Sequence, residues 1–370
     1  MKATPERNLN NHSENGLSTE SKEKLNLLKA DVIATRKVGR LERIIGKETY
    51  RILKGLVTTP TSIIGLVLIA LFVIIALAAP IIAPPIPGTN PYSMPRDGYS
   101  AQPKPPMSEW KSGTPPIPFW YTALTGREEW VHLMGTSSNA YDIFYGVIWG
   151  TRTALKTGVI IEIATLIIGI LVGSISAYYG GLVDNIIMRI VDIFMTLPFI
   201  LAALILAAVL MPVLGRSTLP SVIALIVFGW MSYARLIRGD ILAVKERDYV
   251  LAARVIGVRN SKILFKHIIP NAIFPTLVMA SMDIGTYVLN FAALSFLGIG
   301  TEVGYSDWGQ ILSFARDWIT QLGTYWYIVV YPGITLILFV LGWNLLGDAV
   351  RDVMDPRIRK MQEASSSSES

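Results

Sequence analysis

Long apolar runs alternate with charged stretches along the 370 residues, and six of the runs approach the length of a membrane span. A spanning helix needs about 20 mostly apolar residues to cross about 30 Å of hydrocarbon. The runs are 63–83, 157–178, 186–214, 219–236, 273–299 and 325–346, with the fourth the shortest. The first begins beyond residue 60 behind a basic tail and is too long for the apolar core of a signal peptide, so it is expected to be a retained helix. The pattern predicts an all-α, polytopic membrane protein with six transmembrane helices.

The polar stretches divide the rest. Residues 1–57 form a tail, polar up to about residue 30, in which Leu41, Ile44, Ile45, Ile52 and Leu53 interleave with Arg40, Arg43, Lys47, Arg51 and Lys54. That spacing suits either a basic amphipathic helix on the inner leaflet or a helical lead-in to the first span at 58–83. Residues 84–145 are extracytoplasmic and rich in Pro and Trp up to about 134; so many prolines forbid long helices or central strands. This segment is expected to pack on the protein's own outer face, with contact to an external partner as the alternative. Residues 146–350 make a five-helix core, 238–271 is its cytoplasmic loop, and 351–370 is a second tail.

Composition supports a bilayer as solvent: 52% of residues are hydrophobic, 16% are charged and the mean hydropathy is +0.46. Cysteine is absent, which excludes disulfides, thiolate metal sites and a Cys nucleophile. His12, His132 and His267 lie far apart, so no metal site is expected. Lys and Arg accumulate in cytoplasmic loops. Arg238, Lys245, Arg247, Arg254, Arg259, Lys262 and Lys266 therefore place 238–271 inside, and six crossings put both termini on the same side in a plasma or inner membrane.

Polar groups inside spans are costly and face a bundle interior or a wet cavity. Glu162, Asp283 and Asn290 are accordingly candidates for a translocation path. Asp192 is expected instead to pair with Arg189 at i, i+3 near a helix start.

The stretch from Asp248 to Asn271 carries the most specific pattern. Asp248 is placed to cap a helix through Tyr249 and Arg254, Gly257 to end it, and Pro270 to open the next span after a second helical stretch, 261–268. Ala252 and Ala253 offer a shallow face for close packing by another protein. The stretch resembles the cytoplasmic "EAA" loop of ABC-importer membrane subunits: E-A-A, three residues, Gly, nine residues, then hydrophobic-x-hydrophobic-Pro. Aligned on Ala252, Ala253 and Gly257, nine residues run from Val258 to Lys266, and His267, Ile268, Ile269 and Pro270 follow. Leu251 stands where the pattern has glutamate, and His267 takes a hydrophobic place. His267 is read as a packing residue rather than an acid, base or ligand.

The ending His267 to Asn271 resembles the dipeptide and oligopeptide permease family. So do Ala177–Asp192 (AYYGGLVDNIIMRIVD), Ser295–Gly300, Trp308–Gly309 and Asn344–Arg357, within a likeness spanning about 54–357. The likeness is to that family's second type of membrane subunit. It implies an ABC type I importer permease fold and a path for peptides, with nickel or oligosaccharides carried by related systems. It also implies four kinds of partner: the lipid bilayer, a second homologous permease subunit, two ATP-binding subunits and an extracytoplasmic solute-binding protein. The coupling residues it implies are Asp248, Tyr249, Leu251, Ala252, Ala253, Gly257, His267, Pro270 and Asn271. No G-x-x-x-x-G-K-[ST] occurs, so ATP hydrolysis is expected on separate subunits, and no catalytic residue, cofactor or nucleic-acid partner is expected. The competing class is a stand-alone secondary transporter coupled to an ion through Glu162 and Asp283.

Overall fold

A computed structural model of the chain describes residue 57, residues 59–100 and residues 102–354. The basic stretch 36–54 and the tail beyond 354 lie outside the described residues. Apart from one antiparallel pairing of two-residue strands, β1 (Ser108–Glu109) with β2 (Val131–His132), and three isolated bridges, the described secondary structure is helical.

Among the described residues five helices are long and apolar enough to cross a membrane: α1 (Pro60–Ile82), α3 (Ile143–Tyr179), α6 (Leu219–Val244), α10 (Phe274–Phe296) and α13 (Tyr327–Met354). A short helix, α2 (Phe119–Thr125), lies in the outer segment. The expected third span is not straight. It divides into α4 (Gly181–Met195) and α5 (Phe199–Leu214), bent by 89°, and counts as a sixth crossing if the pair is one span. The break falls at Thr196 to Pro198. Proline has no N–H and its ring pushes the preceding residue out of the helical region, so Leu197 cannot carry the helix through.

The expected second span also starts too late. α3 begins fourteen residues earlier, at Ile143, where the Asp142 side chain accepts from the Tyr145 N–H at 2.7 Å. Its 37 residues cover about 55 Å, longer than the hydrocarbon, and its first turns are sheathed by the outer segment. α6 likewise runs to Val244, eight residues past its apolar run, because Arg235 and Arg238 find partners across the bundle.

Three buried clusters follow the bundle from end to end. At the end that carries 84–145, Phe72, Trp308 and Phe339 interlock, with ring centroids 5.2 to 6.0 Å apart. Ile161, Leu225, Tyr233 and Phe291 fill the middle, and Ile237, Ile241, Val250, Ile263 and Ile268 fill the opposite end. Small residues let the helices close. Gly169 and Gly173 on α3 face Tyr233 and Ala234 on α6, and a Cβ on Gly173 would stand 2.3 Å from the Ala234 carbonyl oxygen.

The outer segment packs on its own chain. Trp120 donates its indole N–H to the Ile82 carbonyl at 3.0 Å, fixing the segment to the end of α1, and Trp149 on α3 donates likewise to Ala83 at 2.8 Å. Its centre is ionic. Buried His132 sets Nδ1 2.6 Å from Asp142 Oδ2 and Nε2 3.2 Å from Asp97 Oδ2, with the Trp110 ring over it at 4.0 Å. Asp97 also accepts from the Lys104 ammonium and from the N–H groups of Lys111 and Ser112. Burial pushes the Asp97 carboxyl up, but Lys104 and these donors outweigh it and hold it at about 2.

Candidate coupling and translocation sites

Helix α7 (Asp248–Val255) follows α6 after a three-residue turn. Arg247, not Asp248, is the N-cap, and no side chain caps by hydrogen bond; Asp248 sits in the first turn, where its charge favours the helix N-terminus. The far end is a Schellman closure. The Gly257 N–H reaches the Arg254 carbonyl and the Val258 N–H reaches that of Ala253, with Gly257 at φ 79°. Only glycine adopts that angle without strain, which explains the residue at this place.

The helix is two-sided. Val250 and Ala253 turn inward onto Ile237, Ile241 and Ile263, whereas Tyr249, Leu251, Ala252, Val255 and Ile256 are exposed. Ala253, expected on the docking face, is thus part of the support beneath it. Val255 and Ile256 are 87% and 77% exposed, a large apolar surface for a segment flanked by Arg247, Arg254 and Arg259.

The second helical stretch differs from the single helix expected over 261–268. It is α8 (Asn260–Ile263), a π turn from Leu264 to Ile268, and α9 (Ile269–Ala272) with Pro270 in its first turn. Pro270 offers no N–H to the Lys266 carbonyl, and the chain widens just ahead of it, so that the Ile269 N–H bonds Leu264. Pro270 therefore opens α9, and the span α10 starts at Phe274. His267 is half-buried and gives its carbonyl to the Asn271 amide at 2.7 Å, a local contact. The loop is tied to the bundle by Tyr178, whose hydroxyl donates to Asn260, and by Lys245, which donates to the Ala177 carbonyl.

Of the intramembrane candidates, Glu162 on α3 and Asp283 on α10 are brought together by Tyr233 on α6. The tyrosine hydroxyl lies 3.1 Å from Glu162 Oε2 and 2.7 Å from Asp283 Oδ2. Asn290, two turns further along α10, is half-buried and takes no part in this group. Asp192 pairs with Arg235 on α6 and not with Arg189, while Asp184 binds Arg238 and the Ser176 hydroxyl. These pairs hold the half-exposed α4 against α3 and α6. Among the described residues no group of three His, Cys, Asp or Glu side chains is arranged to hold a metal.

Sequence reading missed Tyr233, the Asp97–His132–Asp142 group and the Gly169–Gly173 contact. The last was visible as G-x-x-x-G within an apolar run. The first two join residues 10 to 71 positions apart, and no local spacing marks them.

The family described as the binding-protein-dependent transport system inner membrane component matches residues 169–360. The chain belongs to that family. The permease is 32% identical over 307 residues to the dipeptide transport system permease protein of Alkalihalophilus pseudofirmus, a match covering 83% of this chain and 89% of the relative. It is 36% identical to the oligopeptide transport system permease protein of Bacillus subtilis, over 62% of this chain and 73% of the relative. It is 34% identical to the glutathione transport system permease protein of Pectobacterium atrosepticum, over 65% and 78%. Among solved structures, a chain of the MetNI methionine ABC transporter in an inward-facing conformation aligns with a TM-score of 0.47 at 19% identity, over 58% of the permease and 98% of that chain. The permease is therefore a multi-pass membrane component of a transport system, and its relatives are transport subunits and not enzymes.

Proposed function

We propose that the permease forms half of the translocation path for peptides, delivered by an extracytoplasmic solute-binding protein and driven by two ATP-binding subunits that dock on α7. A second, homologous permease subunit completes the path, and both termini lie in the cytoplasm. The observation that carries this reading is the exposed apolar face of α7. Tyr249, Leu251, Ala252, Val255 and Ile256 are presented outward on a helix whose other face is locked into the bundle. A rigid, exposed apolar helix at the end of a membrane bundle is a surface built to be covered and pushed.

The path candidates Glu162 and Asp283 belong to the same reading, since α7 leads through α6 to Tyr233 and hence to both carboxyls. Movement of α6 under a docked subunit would be felt at mid-depth. Peptides are the substrate class that the dipeptide and oligopeptide relatives favour.

The cysteine-free chain makes the test direct. Val255→Cys introduces a single thiol on the outward face, and Ala253→Cys one on the inward face. In the purified complex a bifunctional reagent is expected to link Val255→Cys to an ATP-binding subunit and to leave Ala253→Cys unlinked. A Val255→Cys thiol that links to nothing, or to an external protein, contradicts the reading.

A further inference from the structure

Glu162 is 4% exposed, and its Oε1 accepts no hydrogen bond from any described residue. Its Oε2 and Asp283 Oδ2 both lie within hydrogen-bond distance of the fully buried Tyr233 hydroxyl. A tyrosine hydroxyl has one hydrogen to donate. Between two ionised carboxylates it can satisfy one well, and the other must then face the hydroxyl oxygen lone pair to lone pair. The arrangement is complete when one of the two carboxyls carries a proton and donates it: one carboxyl gives to the Tyr233 oxygen, and Tyr233 gives to the other.

The described residues supply no competing cation. Among the described residues neither carboxyl takes part in an ion pair, and the titratable neighbours are each other, Tyr233 and Tyr287. Tyr287 reaches this group from α10 into space left by Gly229, where a Cβ would stand 2.4 Å from its hydroxyl. Asp283 lies about 14 Å along α10 from Phe274, near mid-depth, where a second uncompensated charge is most costly.

We propose that Glu162, Tyr233 and Asp283 form a proton-binding site that retains one shared carboxyl proton near neutral pH and so ties α3, α6 and α10 together. The site is independent of what the permease carries, and its test does not depend on transport.

The permease, purified in lipid with the subunits that accompany it, is examined by infrared difference spectroscopy near neutral pH. The spectra compared are wild type minus Glu162→Gln, minus Asp283→Asn and minus Tyr233→Phe. The expected result is loss of a protonated-carboxyl C=O band in at least one amide variant, and a shift of that band in Tyr233→Phe, which keeps both acids but removes the hydroxyl. Each variant is close to isosteric and reports alone if another fails to assemble. Difference spectra from the variants that assemble containing only ionised-carboxylate bands would overturn the proposal.

Discussion

Asp97 and Asp307 sit outside the spans and respond to pH with opposite signs. The Asp97 carboxyl is held at about 2, below its ordinary 3.8, so its contribution is fully present above pH 3.8 and is lost as pH falls toward 2. That contribution is at most about 2 kcal/mol. Asp307 is the reverse case. Burial, offset only in part by Ser295 and by the Gly309 and Gln310 N–H groups, pushes its carboxyl up to about 6. It therefore favours the folded state below pH 3.8 and loses that advantage as pH rises through 6. Thermal unfolding of the complex between pH 4 and pH 7 is expected to show a downward slope that Asp307→Asn flattens and Asp97→Asn leaves in place. An unaltered slope in Asp307→Asn would show that its carboxyl stays ionised. Neither environment could be read from sequence, because Asp97 draws on backbone donors 14 and 15 positions away and Asp307 owes its upward shift to burial by the fold.

At the scale of elements, glycines separate close packing from open surface. A Cβ on Gly173 would meet the backbone of Ala234 at 2.3 Å, and neither helix can yield there without parting. Gly173→Val is expected to cost roughly 1–3 kcal/mol and to lower the melting temperature of the complex. Gly239, on α6 with Ala234, has nothing within 4 Å, so Gly239→Ala is expected to be neutral or stabilising by about 1 kcal/mol. Equal melting temperatures for the two variants would remove the close-contact argument. Gly257 is a third case: it too has open space around it, but its φ of 79° strains any side chain. Gly257→Val should leave insertion intact and reduce transport-coupled ATP hydrolysis, measured against the wild-type complex. Hydropathy found five spans, though not all of their ends, and Gly257 marked the end of α7, because apolar length and a helix-ending glycine are local signals. It misjudged the third span, since the apolar composition of 186–214 conceals the consequence of Pro198, and it cut α6 short at arginines that are neutralised only by Asp184 and Asp192 on another helix.

Across the described residues, the end of the bundle that carries 84–145 is sealed by aromatic and ionic contacts, while the opposite end presents an apolar helix that no described residue covers. Between them the Glu162–Tyr233–Asp283 group links three helices at mid-depth. The glycine turn and proline start within 248–271 were legible in the sequence as spacing, but the sidedness of α7 was not: Ala252 and Ala253 are adjacent, and only the packing of Val250 and Ala253 onto Ile237 and Ile263 shows which of them faces outward. The central claim is that force enters through the outward face of α7. It is tested most directly by uptake of a labelled peptide into liposomes holding the complete complex, with ATP supplied on the side that carries α7, for the wild type and for Val255→Glu. The account predicts uptake that requires ATP, needs no ion gradient, and falls at least about tenfold in a Val255→Glu complex that still assembles, since a charge buried at a docking face costs more than about 1.4 kcal/mol. Uptake that follows an imposed ion gradient without ATP, or that is unchanged in Val255→Glu, would contradict it.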